Sequence, residues 1–84
     1  MWVVYLLQCS DGTLYCGVTN DLVKRVKAHN DGRGAKYTRA RRPVVVAASW
    51  TVPGKSEALR AEAKVKKLPR AQKLLLIGEG ALPF

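Results

Sequence analysis

The sequence predicts an α+β fold in the order β-β-α-β-α-α, in which three strands form a small antiparallel sheet flanked by helices. Three observations carry this reading. Two runs rich in Val, Leu and Tyr, over residues 2–9 and 13–18, are separated by Ser10-Asp11-Gly12, a strong hairpin signal. A third apolar run follows Pro43. Around these runs, apolar residues recur every three to four positions, as amphipathic helices require. With 84 residues, the chain is expected to be one domain over 1–84, its core at about 2–78. A domain of that size hides only about 60–65 % of the surface its unfolded chain would expose, so it can build a single core.

The length of the hairpin loop decides which side chains share a face. A two-residue turn at Asp11-Gly12 would put Tyr5 and Tyr15 on opposite sides of the ribbon, because side chains alternate with period two. A three-residue loop with Gly12 left-handed pairs Cys9 with Thr13, Leu7 with Tyr15 and Tyr5 with Gly17. Both tyrosines then share a face, and Val4, Leu6, Leu14, Cys16 and Val18 collect on the other, ready to be covered by helices. The better sorting selects the three-residue loop. Gly17, opposite Tyr5, is expected to leave open space for a ligand backbone.

Asn20 or Thr19 is suited to cap a helix over about residues 21–31 that ends at a left-handed Gly32. At about 100° per residue, Leu22, Arg25, Val26 and His29 fall on one side. Arg25 and His29 therefore border the buried face, where either a structural or a chemical role is open to them. Between Gly32 and Arg42 the chain places Arg33, Lys36, Arg39, Arg41 and Arg42 around two glycines and Tyr37. This composition suits a phosphate-facing loop, within which a short helical turn fits. Cationic side chains and free backbone amides bind a nucleic-acid backbone without reading its sequence, and Tyr37 is suited to stack on a base or hydrogen-bond a phosphate.

The third strand, Val44 to Thr51, is apolar on both sides, which predicts a central or well-covered position. After Pro53-Gly54, Ser56 is expected to cap a helix to about Leu68, with Ala58, Ala61, Val65 and Leu68 as its core stripe. Glu62 sits at the edge of that stripe. A half-sunk carboxylate is costly unless a cation or donor meets it, so Glu62 asks for a partner: a metal ion, Arg25 or Lys66. Pro69 starts a last helix with Leu74, Leu75, Leu76 and Ile77 before Gly78-Glu79-Gly80, and Ala81 to Phe84 form a tail without recognisable chemistry.

Fifteen basic against six acidic residues give a formal charge of +9, which favours a polyanionic partner, nucleic acid before an anionic membrane surface. No segment reaches the roughly 18–20 apolar residues of a spanning helix, and the N-terminus does not read as a secretory signal, so a reducing cytoplasmic setting is expected. Cys9 and Cys16 then behave as small buried hydrophobes; with His29 they match no compact zinc pattern.

Taken in order, these residues resemble the GIY-YIG nuclease superfamily, most closely its small stand-alone bacterial branch, over about residues 2–78. Val3-Val4-Tyr5 stands where that family has its first triad and Tyr15-Cys16-Gly17 where it has the second. Asp21 to His29 looks like its first helix, Gly34 to Arg39 like the stand-alone branch's loop, and Ala58 to Glu62 like its metal-binding helix. The departures, Val3, Val4 and Cys16, keep strand character and leave the tyrosines and final glycine intact.

The resemblance implies a metal-dependent endonuclease that hydrolyses DNA phosphodiesters in repair or recombination, selective for structure, such as branched or single-stranded DNA, rather than for sequence. It implies one Mg²⁺ or Mn²⁺ on Glu62, Tyr5 as general base or water positioner, and Tyr15 orienting water or phosphate. Arg25 would bind phosphate and His29 hold Tyr5 or relay its proton. A non-catalytic nucleic-acid-binding module and a subunit recruited by a protein partner are the competing expectations.

Overall fold

The computed structural model describes residues 1–79, so the expected tail lies outside the described residues. Seven elements follow one another: β1 (Trp2–Gln8), β2 (Leu14–Thr19), α1 (Leu22–Asn30), α2 (Lys36–Arg39), β3 (Val45–Val52), α3 (Lys55–Lys67) and α4 (Arg70–Glu79). The three strands form one antiparallel sheet in the order β2-β1-β3. The short turn allowed between Gly32 and Arg42 is α2, and α4 runs through Gly78 rather than stopping before it.

The hairpin closes as the three-residue loop requires. Cys9 N–H donates to Thr13 O at 2.9 Å, Gly12 N–H donates to Cys9 O at 3.0 Å, and Gly12 adopts φ +84°. Leu7 therefore pairs with Tyr15 and Tyr5 with Gly17.

Strand order departs from expectation: β1 is central and β3 lies at an edge. Both strands are apolar on both sides, but only β1 is covered on both, with Val4, Tyr5, Leu6 and Leu7 all buried. Pairing with β1 slips between Leu6 and Leu7, so that Leu6 faces Ala48 and Leu7 faces Val46. Ala47 is the extra residue, and such a bulge bends a strand away from its ladder. Beyond it Val45 and Val46 are 59 % and 41 % exposed.

The two faces of β1 carry two cores. Val4, Leu6, Cys16 and Trp50 pack beneath Ala58, Ala61 and Val65 of α3 and Leu76 of α4, while Leu68 packs at the margin. On the other face Tyr5, Leu7, Cys9 and Val44 meet Tyr15 and, from α1, Leu22 and Val26.

Helix ends follow capping chemistry, with two corrections. Asp21, not Asn20 or Thr19, caps α1: its carboxylate accepts from Lys24 N–H at 3.1 Å, while Thr19 Oγ1 accepts from Asp21 N–H. The carboxylate is better placed because Thr19 still belongs to β2. Gly54, not Ser56, caps α3, since the helix starts at Lys55 and Ala58 N–H donates to Gly54 O. At the far end of α1, Gly32 at φ +82° lets its own N–H reach His29 O and Arg33 N–H reach Ala28 O, a Schellman closure.

Asn30 locks this end of α1 to the start of β3, its Oδ1 accepting from Val44 N–H at 2.7 Å and its Nδ2 donating to Val44 O at 3.0 Å. Asn30→Ala strands two backbone groups at once. The variant is expected to lose about 1–3 kcal/mol in urea unfolding.

Candidate active site

Because Tyr5 and Tyr15 project from the face covered by α1, they meet the side chains that α1 turns inward. Arg25 and His29 lie one helical turn apart, and His29 is fully buried. Tyr5 Oη and His29 Nε2 are 3.0 Å apart, Arg25 Nε donates to Tyr5 Oη at 3.4 Å, and Arg25 Nη2 donates to Gly34 O at 3.1 Å. Behind the imidazole, His29 Nδ1 lies 2.8 Å from Thr38 Oγ1.

Thr38 Oγ1 also lies 3.1 Å from Ala35 O. A hydroxyl that donates to that carbonyl accepts from His29 Nδ1–H, and in that tautomer Nε2 is the bare nitrogen to which Tyr5 O–H donates. The result is one chain, Arg25 to Tyr5 to His29 to Thr38. Burial, and then the nearby Arg25 charge, push the His29 pKa down, which keeps the ring neutral. Burial pushes the Tyr5 pKa up, with Arg25 pulling it back.

Thr38 and Gly34 lie in the Gly34 to Arg39 string of the resemblance, but the sequence reading gave neither a role. A Cβ on Gly34 would collide with the His29 ring, and one on Gly17 with the Tyr5 phenol. Gly17 thus leaves no open space for a ligand, as had been expected; the phenol fills it. Nothing local in the sequence marks either residue, because both constraints arise from segments distant along the chain.

Around this chain lies an aromatic and cationic rim. Tyr15 meets the edge of the His29 ring with centroids 5.3 Å apart, and stacks on Tyr37 at 5.8 Å and 26°. The Arg41 guanidinium lies 4.0 Å from the centre of the Tyr37 ring, held by Asp11 Oδ2 at 3.0 Å and Tyr37 O at 2.8 Å. A cleft of about 220 Å³ lined by Thr19, Asn20, Asp21, Lys24, Arg25 and Ala28 opens beside Arg25. A larger recess near 530 Å³, lined by Asn30, Arg39, Ala40, Arg42 and Pro43, contains no acid, base or nucleophile and stands apart from the tyrosines.

Several cations of the Gly32–Arg42 segment are committed internally. Arg33 pairs with Asp31 at 2.9 Å, Arg41 with Asp11, and Arg42 donates to Arg39 O at 2.8 Å and Asn30 O at 3.3 Å. Lys36 and Arg39 are exposed without a hydrogen bond or ion pair among the described residues.

Glu62 stands apart from the chain of hydrogen bonds. It rises from α3, on the side of the sheet that carries Cys16, with its side chain one-fifth exposed and Lys66 Nζ at 3.6 Å. Burial first, and the Glu62 charge second, push the Cys16 thiol up to about 12, so Cys16 is a protonated, inert neighbour. Among the described residues no group of three or more His, Cys, Asp or Glu could cage a metal ion. A single, partly exposed carboxylate with a long, displaceable ion pair does suit a hard cation that keeps waters and takes phosphate oxygens as further ligands.

A small mixed α+β fold that holds a tyrosine, a histidine and an arginine in one hydrogen-bonded chain beneath a cationic rim defines the class of this protein. The chain is a member of the GIY-YIG family, matching the GIY-YIG catalytic domain over residues 1–74. It is 51 % identical over 74 residues to a UPF0213 protein of Nitratidesulfovibrio vulgaris, covering 88 % of this chain and 67 % of that one. It is likewise 52 % identical over 75 residues to the UPF0213 protein YazA of Bacillus subtilis, covering 89 % and 76 %. The solution NMR structure of the UPF0213 protein BH0048 from Bacillus halodurans superposes with a TM-score of 0.62 at 45 % identity, covering 99 % of this chain and 89 % of that one. Its likeness bears out the α+β architecture. No helix among the described residues is long and apolar enough to cross a membrane.

His29 is the sole histidine, so its titration can be followed without interference. An unfolded histidine takes up a proton near pH 6.5 while the folded one resists until lower pH, so the unfolded state binds more protons in between. Stability is therefore full above about pH 6.5 and falls as the pH drops toward the depressed folded value. Thermal melts are expected to show this decline, and His29→Gln to flatten it.

Proposed function

We propose that the protein is a metal-dependent endonuclease that hydrolyses phosphodiester bonds in DNA, with the Arg25–Tyr5–His29–Thr38 chain as its proton-handling centre. The observation that carries this reading is the 3.0 Å contact of Tyr5 Oη with His29 Nε2, with Arg25 Nε on the same phenol oxygen. A neutral imidazole accepting from a buried phenol is the arrangement that draws a proton off the phenol, and the Arg25 charge steadies the phenolate that results. Tyr5 alone, with its pKa raised, would stay protonated near neutrality.

Arg25 is placed to hold the scissile phosphate through its planar fork while Tyr5 accepts the proton of the attacking water. Tyr15, whose hydroxyl makes no hydrogen bond among the described residues, orients that water or the phosphate. Thr38 fixes the imidazole so that the proton passes to Nε2 and not elsewhere. Glu62 would hold one Mg²⁺ or Mn²⁺, whose chemistry when bound is to neutralise the phosphate and stabilise the leaving oxyanion. The rim of Lys36, Tyr37 and Arg39 lines the path of the DNA backbone.

A second reading, a non-catalytic nucleic-acid-binding module, is favoured by two facts. Tyr5 is only 1 % exposed, and Glu62 is already paired with Lys66. Metal-dependent nicking of single-stranded or branched DNA, abolished by a chelator, separates the two; salt-sensitive binding without nicking leaves only the binder.

Within the catalytic reading, Tyr5→Phe is expected to lower kcat for nicking by about 10²–10⁴ with DNA affinity unchanged, measured by single-turnover cleavage against anisotropy titration. Glu62→Ala should abolish metal-dependent nicking and leave binding intact. Unchanged nicking in that variant would remove Glu62 from the site.

A further inference from the structure

Much of the charge between Gly32 and Arg42 is engaged inside the fold, and a second concentration of charge follows it. From Lys66 to Lys73 four of eight residues are basic and none is acidic. The stretch covers the last turn of α3, the Leu68-Pro69 break and the first turn of α4. Lys66, Lys67 and Arg70 are exposed and Lys73 is half-buried. Among the described residues the side chains of Lys67, Arg70 and Lys73 have no hydrogen bond or ion pair, and that of Lys66 has only its long contact with Glu62.

One or two cations at the end of α3 would complement its carbonyls. Four within eight residues add mutual repulsion that folding alone does not reward. Their position is also informative. α3 packs across β2 and β1 and carries Lys66 beside Glu62, with Nζ 3.6 Å from Oε2, and the Leu68-Pro69 break keeps Lys67 and Arg70 at that same end of the helix. β2 is an edge strand, and the cleft with Lys24 and Arg25 begins at its end, Thr19. Cations thus stand on both flanks of one open strand edge, with Glu62 between them.

We propose that Lys66, Lys67, Arg70 and Lys73 form a second contact for the phosphodiester backbone, and that a nucleic-acid strand passes from the Lys24–Arg25 cleft round the free edge of β2 to reach it. That the polymer is nucleic acid rests on the nuclease reading above. Separated cationic heads without a planar base-reading group bind backbone phosphates regardless of sequence. Leu74 and Leu75 are exposed nearby, but two leucines do not make the broad apolar face that an interfacial helix needs, and a flat bilayer cannot follow charge round an edge. A path round an edge also selects the substrate. Single strands and branch points bend through it, whereas duplex DNA, stiff over about 150 base pairs, does not.

The test uses Lys67→Gln/Arg70→Gln and Lys67→Glu/Arg70→Glu, at exposed positions outside the proposed catalytic set, with circular dichroism confirming the fold. Binding is read by fluorescence anisotropy with a labelled single strand, a branched junction and a straight duplex across a salt series. The glutamate pair is expected to weaken single-strand and junction binding by about tenfold or more. The glutamine pair should flatten the slope of log K against log salt by about 1.4, two contacts at about 0.7 each, with straight-duplex binding little changed. Unchanged affinity and slope would overturn the proposal, as would equal losses on the straight duplex or a loss confined to phosphatidylserine vesicles. If the wild type fails to nick DNA with Mg²⁺ or Mn²⁺ but the variants still bind single strands more weakly, the nuclease reading falls and this contact stands. If the wild type nicks and the variants bind and nick like it, the contact falls and the nuclease reading stands.

Discussion

The parity of the β1–β2 hairpin governs everything built on it. Three residues in the loop, with Gly12 left-handed, set Tyr5 against Gly17 and Leu7 against Tyr15. One residue fewer would shift β2 by one position and send Tyr15 to the α3 side, exchanging it with Cys16. The His29 ring would then lose Tyr15 as its edge-on neighbour, and a polar ring would be forced into the core of Val4, Leu6 and Val65. The loop is tied down accordingly. Asp11 accepts from Thr13 N–H and Oγ1–H and pairs with Arg41, while Ser10 N–H and Oγ–H both donate to Arg41 O.

That tie joins the hairpin to the basic segment and changes what the segment is for. Arg41 sits over Tyr37, which stacks on Tyr15, which meets the edge of His29. A cation over an aromatic face and an offset ring pair each contribute roughly 0.5–1.5 kcal/mol, enough to hold the rim in one arrangement. Arg42 does similar work lower down, joining the carbonyls of Arg39 and Asn30. Arginine suits this use because one planar head can satisfy two acceptors. Arg41 and Arg42 thus build a wall beside the buried histidine, which leaves Lys36 and Arg39 as the uncommitted cations of this segment.

How much of this could be read beforehand divides by range. The hairpin loop, the Gly32 termination and the Ala58–Ala61–Val65 stripe follow from local rules, and all three are present. The central position of β1 does not, because Val3 to Leu7 and Val44 to Ala48 are equally apolar and only the covering helices distinguish them. Thr38 and Gly34 were invisible for a related reason. Each matters only through the His29 ring, nine and five residues away in sequence. Arg41 and Arg42 looked like phosphate ligands because their acceptors, a hairpin carboxylate and helix-end carbonyls, are assembled by tertiary structure.

The separation of Tyr5 and Glu62 onto opposite faces of the sheet shapes the reading of the whole site. A phenol on one side and a carboxylate on the other can serve one phosphate only where the sheet ends, and β2 is where it ends. An unpaired strand edge ordinarily invites another strand to add to it. Here the edge strand is only six residues long, Lys24 lines the cleft at its end, and Lys66 stands beside Glu62 on the helix that packs over it. Like charges facing one another across a would-be pairing oppose addition of a second copy, while leaving the same edge attractive to a polyanion. The opposite edge, β3, carries the bulge at Ala47, beyond which Val45 and Val46 resume pairing with Gln8 and Leu7, and a bulge is an irregularity that discourages a further strand from adding.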